Sequence, residues 1–166
     1  MAQEQTVHIL TGPPADPGKW EDMAAQFFQQ QGKHVLCGGT TATLAAAYLG
    51  KELRPQLQSP DPEIPPTATL EGVELVTEGA LTLARVLQYV SEYEQHGICK
   101  QMPWESGGDG ASLLMKLLLE AAEIRFYVGT AANPAKAGTL PDRGKTVTAL
   151  ASCLGRLGKR VGIEWY

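Results

Sequence analysis

His34-Val-Leu-Cys-Gly-Gly-Thr-Thr41, HVLCGGTT, decides how this chain is read. An apolar run stops on two glycines and two hydroxyls, and ATLAAAYLG follows without a spacer. The first half predicts a buried strand. The second half predicts a short alanine-rich helix closed by Gly50. A strand that passes directly into a helix is half of a βαβ unit, so its neighbours on either side should repeat the alternation.

They do. Upstream, TVHIL (Thr6–Leu10) predicts a first strand, broken by TGPPADPG. KWEDMAAQFFQQQG then predicts a helix burying Met23, Phe27 and Phe28, with Gly32 as its stop. Downstream, ELRPQLQ is ambiguous, and Pro55 limits any strand there to a sheet edge. The four-proline stretch Ser59–Gly72 reads as an ordered surface loop. VELVT predicts a strand, and the following helix predicts a buried stripe of Leu81, Ala84, Val86, Leu87 and Val90. ASLLMKLLLEAA predicts a well-buried helix and EIRFYVG a strand. KTVTALASCLGRLGK predicts a helix with Val147, Leu150, Ala151, Leu154 and Leu157 on one face, and RVGIEW a last strand. The expected fold is α/β: a three-layer sandwich with a mostly parallel, Rossmann-like sheet and helices on both faces, over residues 1–166 as one domain.

The 166 residues carry 43% hydrophobic and 19% charged residues and a formal charge of −4, the balance of an ordinary globular domain. Basic residues are scattered, which argues against a nucleic-acid partner. No apolar run approaches the ~18 residues of a membrane span. The start MAQEQT lacks a signal pattern, so a cytoplasmic location is expected. Cys37, Cys99 and Cys153 match no metal or redox spacing.

Ligands of open parallel sheets bind beyond the carboxyl ends of the strands. Four such ends have unusual sequences: Thr11–Pro14, Cys37–Thr41, Thr77–Gly79 and Gly129–Pro134. A parallel sheet brings them to one edge. Gly38 and Gly39 would let a ligand approach the backbone. Thr40 or Thr41 could cap the next helix, whose free N–H groups suit phosphate or carboxylate. The competing reading is a tight strand-to-helix turn, because neither a Walker loop nor a dinucleotide fingerprint is present. Thr77 could cap a helix with Glu78 near its positive end, or Glu78 could read a ligand hydroxyl or hold a cation. Asp109 and Ser112 are placed as helix-start residues. Asn133 and Lys136 could form a turn or reach an anion. The candidate ligand-binding set is therefore Thr11, Gly12, Gly38, Gly39, Thr40, Thr41, Thr77, Glu78, Gly129 and Asn133. No catalytic set, metal site or particular cofactor is specified. His8, His34 and His96 read as structural, and Cys37 as buried.

ILTGPPADP (9–17), GKHVLCGGTTATLAAAYLGKEL (32–53), DPEIPPTATLEGVELVTEGALTL (61–83), DGASLLMKLLLEAAEIRFYVGTAANPA (109–135) and LGKRVGIEWY (157–166), taken together and in order, form a long motif set. The chain resembles the region C-terminal to the catalytic domain in bacterial phosphatases similar to stage II sporulation protein E. Those are metal-dependent serine/threonine phosphatases whose catalytic aspartates lie upstream of the matching region. The resemblance implies an accessory domain, either excised or free-standing, and carries no catalytic residue onto this chain. Asp109-Gly110 falls in the accessory region and opens a helix. Lys136 departs from the histidine expected after Asn-Pro-Ala. The convergent loops suit a ligand-sensing domain for a small anionic ligand, and a regulatory role follows by analogy with phosphoprotein signalling. The alternatives are docking to a phosphatase catalytic domain or signalling protein through the Ser59–Gly72 and Trp104 loops, or a stand-alone enzyme on a phosphorylated small molecule.

Overall fold

A computed structural model describes residues 5–56, 66–96, 109–131 and 142–166. The chain runs β1 (Thr6–Thr11), α1 (Trp20–Gln29), β2 (Lys33–Cys37), α2 (Gly39–Leu49), β3 (Arg54–Pro55), β4 (Ala68–Thr69), β5 (Leu75–Thr77), α3 (Ala80–His96), α4 (Gly110–Glu120), β6 (Glu123–Val128), α5 (Arg143–Arg156) and β7 (Arg160–Trp165). The strands form one sheet in the order β3-β4-β5-β2-β1-β6-β7. β5, β2, β1, β6 and β7 are mutually parallel, while β4 and β3 run antiparallel at one edge. The parallel strands, counted along the chain, lie in the order 3-2-1-4-5. This is the doubly wound arrangement, and its direction of winding reverses at β1.

Alternation along the strands divides the core between two faces. Leu10, Leu36, Val76 and Tyr127 pack with Met23 and Phe27 of α1 and with Ala42, Ala45 and Ala46 of α2. The alanines let α2 lie close to the sheet. Val7, Ile9, Val35, Cys37, Ile124, Phe126 and Val128 face α3, α4 and α5, through Leu83, Val86, Leu114, Leu118, Val147 and Leu150 among others. Each fully buried Leu, Ile or Phe removes enough apolar surface from water to contribute roughly 1.5–3 kcal/mol. The three layers expected from the sequence are all present.

Two details differ from the sequence reading. The stripe on α3 is Thr82, Leu83, Val86 and Val90, while Leu81 remains 40% exposed. The helix begins at Ala80, and this phase turns Leu81 to solvent. The far part of Ser59–Gly72 is not all loop, because Ala68–Thr69 pairs with Arg54–Pro55 and with Val76. β3 is only two residues, the edge limit that Pro55 imposes. Residues 59–65 of the proline stretch, the Trp104 loop, Cys99, Asn133 and Lys136 lie outside the described residues.

His8 and His34 close the end of α1. His34 Nε2 donates to the Phe27 carbonyl at 2.9 Å, and His8 Nε2 donates to the Gln31 carbonyl at 3.0 Å. Each satisfies a carbonyl at or just beyond the helix C-terminus. With the proton on Nε2, His8 Nδ1 must accept, so the Tyr127 hydroxyl donates to it at 3.1 Å. The two imidazoles stack with ring centres 5.4 Å apart. Burial lowers both pKa values below the ordinary histidine range, against the upward pull of the carbonyl bonds. The structural roles expected for His8 and His34 are the ones found.

Candidate functional site

The expected convergence of strand ends is present. Register places Thr11 beside Cys37 on one side and beside Val128 on the other, and Cys37 beside Thr77. The loops after β1, β2, β5 and β6 therefore share one edge of the sheet. A chain of contacts links them. Gly79 approaches Gly38 so closely that a Cβ on it would lie 3.0 Å from the Gly38 Cα. The Gly38 N–H donates to the Thr77 carbonyl at 3.0 Å. The Gly12 N–H donates to Thr41 Oγ1 at 2.9 Å. Gly12 in turn lies beneath the guanidinium of Arg143, whose Nη1 donates to the Gly129 carbonyl at 2.8 Å.

The hydroxyls do different work from that expected. Gly38, at φ 132°, is itself the residue that precedes α2, and no side chain caps that helix. Thr41 is buried and spends its oxygen on Gly12, and Thr40 is exposed. Thr77 closes β5 rather than capping α3. Its hydroxyl leans toward the Cys37 thiol but finds no partner in hydrogen-bonding geometry. Glu78 supplies the cap of α3, with Oε2 accepting from the Leu81 N–H at 3.2 Å. Asp109 caps α4 by accepting from the Ser112 N–H at 2.9 Å and the Ser112 hydroxyl at 2.7 Å. Asp142 caps α5 through the Lys145 N–H at 2.9 Å.

Among the described residues, the first N–H groups of α2 therefore have no side-chain acceptor. Gly38 needs its positive φ, which non-glycine residues rarely adopt. Gly39 does not share that need: its backbone is helical, and a Cβ built there would meet nothing within 4 Å. The space above Gly39 is open to a ligand.

The sequence reading assigned Arg143 no role, yet its guanidinium lies against Gly12 on this edge. It is the first residue of α5, and its guanidinium is half-buried at the point where the winding reverses. Burial pulls its pKa below the ordinary arginine value, with Asp142 pulling it back up. A guanidinium stays charged at neutral pH all the same. Among the described residues its hydrogen bonds go to the carbonyls of Gly129 and Ala131. The one local signal was Asp142-Arg143-Gly144, an N-cap followed by a helix start.

On the other side of Arg143 the crevice between β1 and β6 is narrow. A Cβ on Gly129 would lie 2.0 Å from the Pro13 carbonyl oxygen. The Ala131 N–H donates to that same oxygen at 3.2 Å. The Tyr166 carbonyl accepts from the Ala15 and Thr130 N–H groups at 3.3 and 2.8 Å. These backbone contacts fill the gap in which a doubly wound fold would lay a dinucleotide. By contrast, among the described residues nothing lies within 4 Å of a Cβ built on Gly39, at the start of α2. Cys37, directly below it, offers no nucleophile, because burial pushes its thiol up to about 12. Among the described residues no group of three His, Cys, Asp or Glu side chains is placed to hold a metal ion. No described helix is long and apolar enough to cross a membrane.

Fold and site together define a doubly wound α/β domain whose helix α2 starts at the carboxyl edge of the sheet with a glycine at its N-cap. No protein-family model matches the chain. No curated protein matches it either. Among solved structures, phenylacrylic acid decarboxylase from Aquifex aeolicus is similar over 97% of this chain and 81% of that chain, at 11% identity and a TM-score of 0.31. A likeness of that size carries no argument about function.

Proposed function

We infer that this domain binds a small anionic ligand at the carboxyl edge of its sheet, with the anion seated on the start of α2. One observation carries the reading. α2 begins without a side-chain cap and with open space over Gly39, while the half-buried Arg143 guanidinium lies across Gly12 from it. Unsatisfied helix-start N–H groups and a nearby guanidinium are complementary to phosphate or carboxylate. Gly38, Gly39 and Thr40 form the seat, Thr41 and Gly12 support it, and Arg143 supplies the charge. The filled crevice between β1 and β6 favours a compact ligand over a dinucleotide. Thr11, Thr77 and Gly129 frame the edge, and the Glu78 carboxylate is taken up in capping α3.

The resemblance to the accessory region of sporulation protein E-like phosphatases supports a regulatory role for that binding, in the cytoplasm and beside a phosphatase catalytic domain. The test is a thermal-shift series with inorganic phosphate, sulfate, nucleotides and phosphorylated sugars. An anion at 100 times its dissociation constant adds about 2.7 kcal/mol to stability. The shift should vanish in Gly39→Asp, which puts a carboxylate where the anion would sit. It should weaken in Arg143→Gln. An anion-dependent shift that survives both substitutions removes the seat from the reading.

A further inference from the structure

The two edges of the sheet are unequal. β3 is two residues long and carries Pro55, while β7 is six residues long with no proline. Among the described residues no strand pairs with the outer side of β7. Edge strands of this length are usually blunted by lysine, proline or a bulge. The flanking lysine does not do so here. Lys159 turns inward and donates from Nζ to the carbonyls of Leu119 at 2.9 Å and Ala121 at 2.6 Å, at the end of α4.

The hydrogen-bond phase of this edge is known. The Arg160 N–H donates to the Ala122 carbonyl, and the Tyr166 N–H to the Val128 carbonyl. Backbone groups alternate sides along a strand. The even-numbered residues thus face β6, and the N–H and C=O groups of Val161, Ile163 and Trp165 face outward. Side chains alternate between faces as well. Val161 and Ile163 pack toward the α3–α5 layer, while Arg160, Gly162 and Glu164 point to the other face.

We propose that β7 is a self-association edge, at which a second copy of this chain pairs antiparallel so that Gly162 faces Gly162 across a two-fold axis. An antiparallel pair needs outward-facing residues opposite one another, so only registers that match odd residues with odd residues are possible. Of these, the Gly162-centred register places Val161 opposite Ile163 twice. It also places Arg160 opposite Glu164 of the second copy twice. A one-step shift to centre on Val161 or Ile163 loses both charge pairs. The match in hydrogen bonding, apolar pairing and charge selects this partner and this register. Arg160 already lies 3.8 Å from Glu123, and the second carboxylate would join that pair. Trp165, 50% exposed at the end of β7, borders a shallow groove with Gly144 and Thr148 that would come to lie beside the two-fold contact.

The test is sedimentation equilibrium of the whole chain across a wide concentration range. The expected result is a concentration-dependent rise toward twice the chain mass. Glu164→Arg sets like charges opposite each other at both ends and should weaken the dimer about tenfold. Adding Arg160→Glu to that variant should restore it. Val161→Pro removes one outward N–H and leaves the ladder to β6 intact, so it should also yield monomer. If that variant fails to fold, the charge swap carries the test alone. A monomer at every concentration overturns the proposal. So does a dimer indifferent to Glu164→Arg, because the interface then lies elsewhere.

Discussion

The guanidinium of Arg143 covers Gly12: a Cβ built on that glycine would lie 2.2 Å from Arg143 Nη1. Gly12 also sits at φ +83°, a backbone conformation that an L-residue adopts only at a cost. Gly12→Ala should therefore destabilise the fold by about 1–3 kcal/mol and displace Arg143 from its seat. Chemical denaturation measures the first effect. Anion titration of the same variant measures the second, and the two should fall together.

Across the crevice the obstruction is backbone. A Cβ on Gly129 meets carbonyl oxygens of Pro13 and Gly12 at 2.0 and 2.2 Å, and neither can rotate away. Gly129→Ala should cost about 3 kcal/mol or leave the protein unfolded. Gly155→Ala is the control. Gly155 lies inside α5 with open space around it, so the added methyl should stabilise by about 0.5–1 kcal/mol. Midpoints of denaturation that failed to separate the two would contradict the packing described between β1 and β6.

His8 and His34 make the fold acid-sensitive. Both pKa values are lowered in the native state, chiefly by burial, so the unfolded chain binds protons more readily. The stability this contributes is present above the ordinary histidine pKa of about 6.5 and is lost as pH falls below it. Arg125 and the neighbouring imidazole push His8 further down, whereas Glu123 opposes the shift at His8 and Glu74 at His34. A thermal melt series from neutral pH to pH 5 should show a falling midpoint. His34→Gln, which can keep a donor for the Phe27 carbonyl, should flatten that slope.

Asp109 tests the start of α4. Its carboxylate is buried and accepts two hydrogen bonds from Ser112. Asp109→Ala should cost about 1–2 kcal/mol, and Asp109→Asn should recover most of the loss. Equal stability of the two variants would show that the cap contributes nothing.

Cys37 should resist thiol chemistry. With its thiol pushed up to about 12 and the side chain 1% exposed, iodoacetamide should leave it unmodified in native protein and label it after unfolding. Peptide mass mapping before and after denaturation reads the difference. Native-state labelling would return Cys37 to consideration as a reactive group.

Much of the architecture was legible in local pattern. HVLC followed by two glycines, and EIRFYV between two helical stretches, carry periodicities that point to buried parallel strands and the helices between them. β4 escaped notice because two residues, Ala68 and Thr69, are too few to show alternation; only the partners at Arg54 and Val76 define them as a strand. The capping roles were harder. Thr41 has the chemistry of a cap, but its oxygen is claimed by Gly12, distant in sequence, and no local rule anticipates that contact. Arg143 was invisible for the same reason: its importance lies in the carbonyl of Gly129 and the Cα of Gly12, which only the assembled sheet brings beneath it. Composition and spacing describe what one segment can do alone. The edge where four loops meet belongs to none of them.

The place of β1 at the centre of the parallel strands has a further consequence for how the molecule is made. Of the strands of this sheet β1 is the first to emerge during synthesis, and β2 follows to cover one of its sides. Its other side pairs with β6, and the bond from Tyr127 to His8 spans 119 positions. Closing so long a loop delays the reward for ordering it. The central strand of the finished sheet is thus, for most of translation, a nascent edge. The chain reaches its final form only when its last third arrives to shield what its first residues exposed.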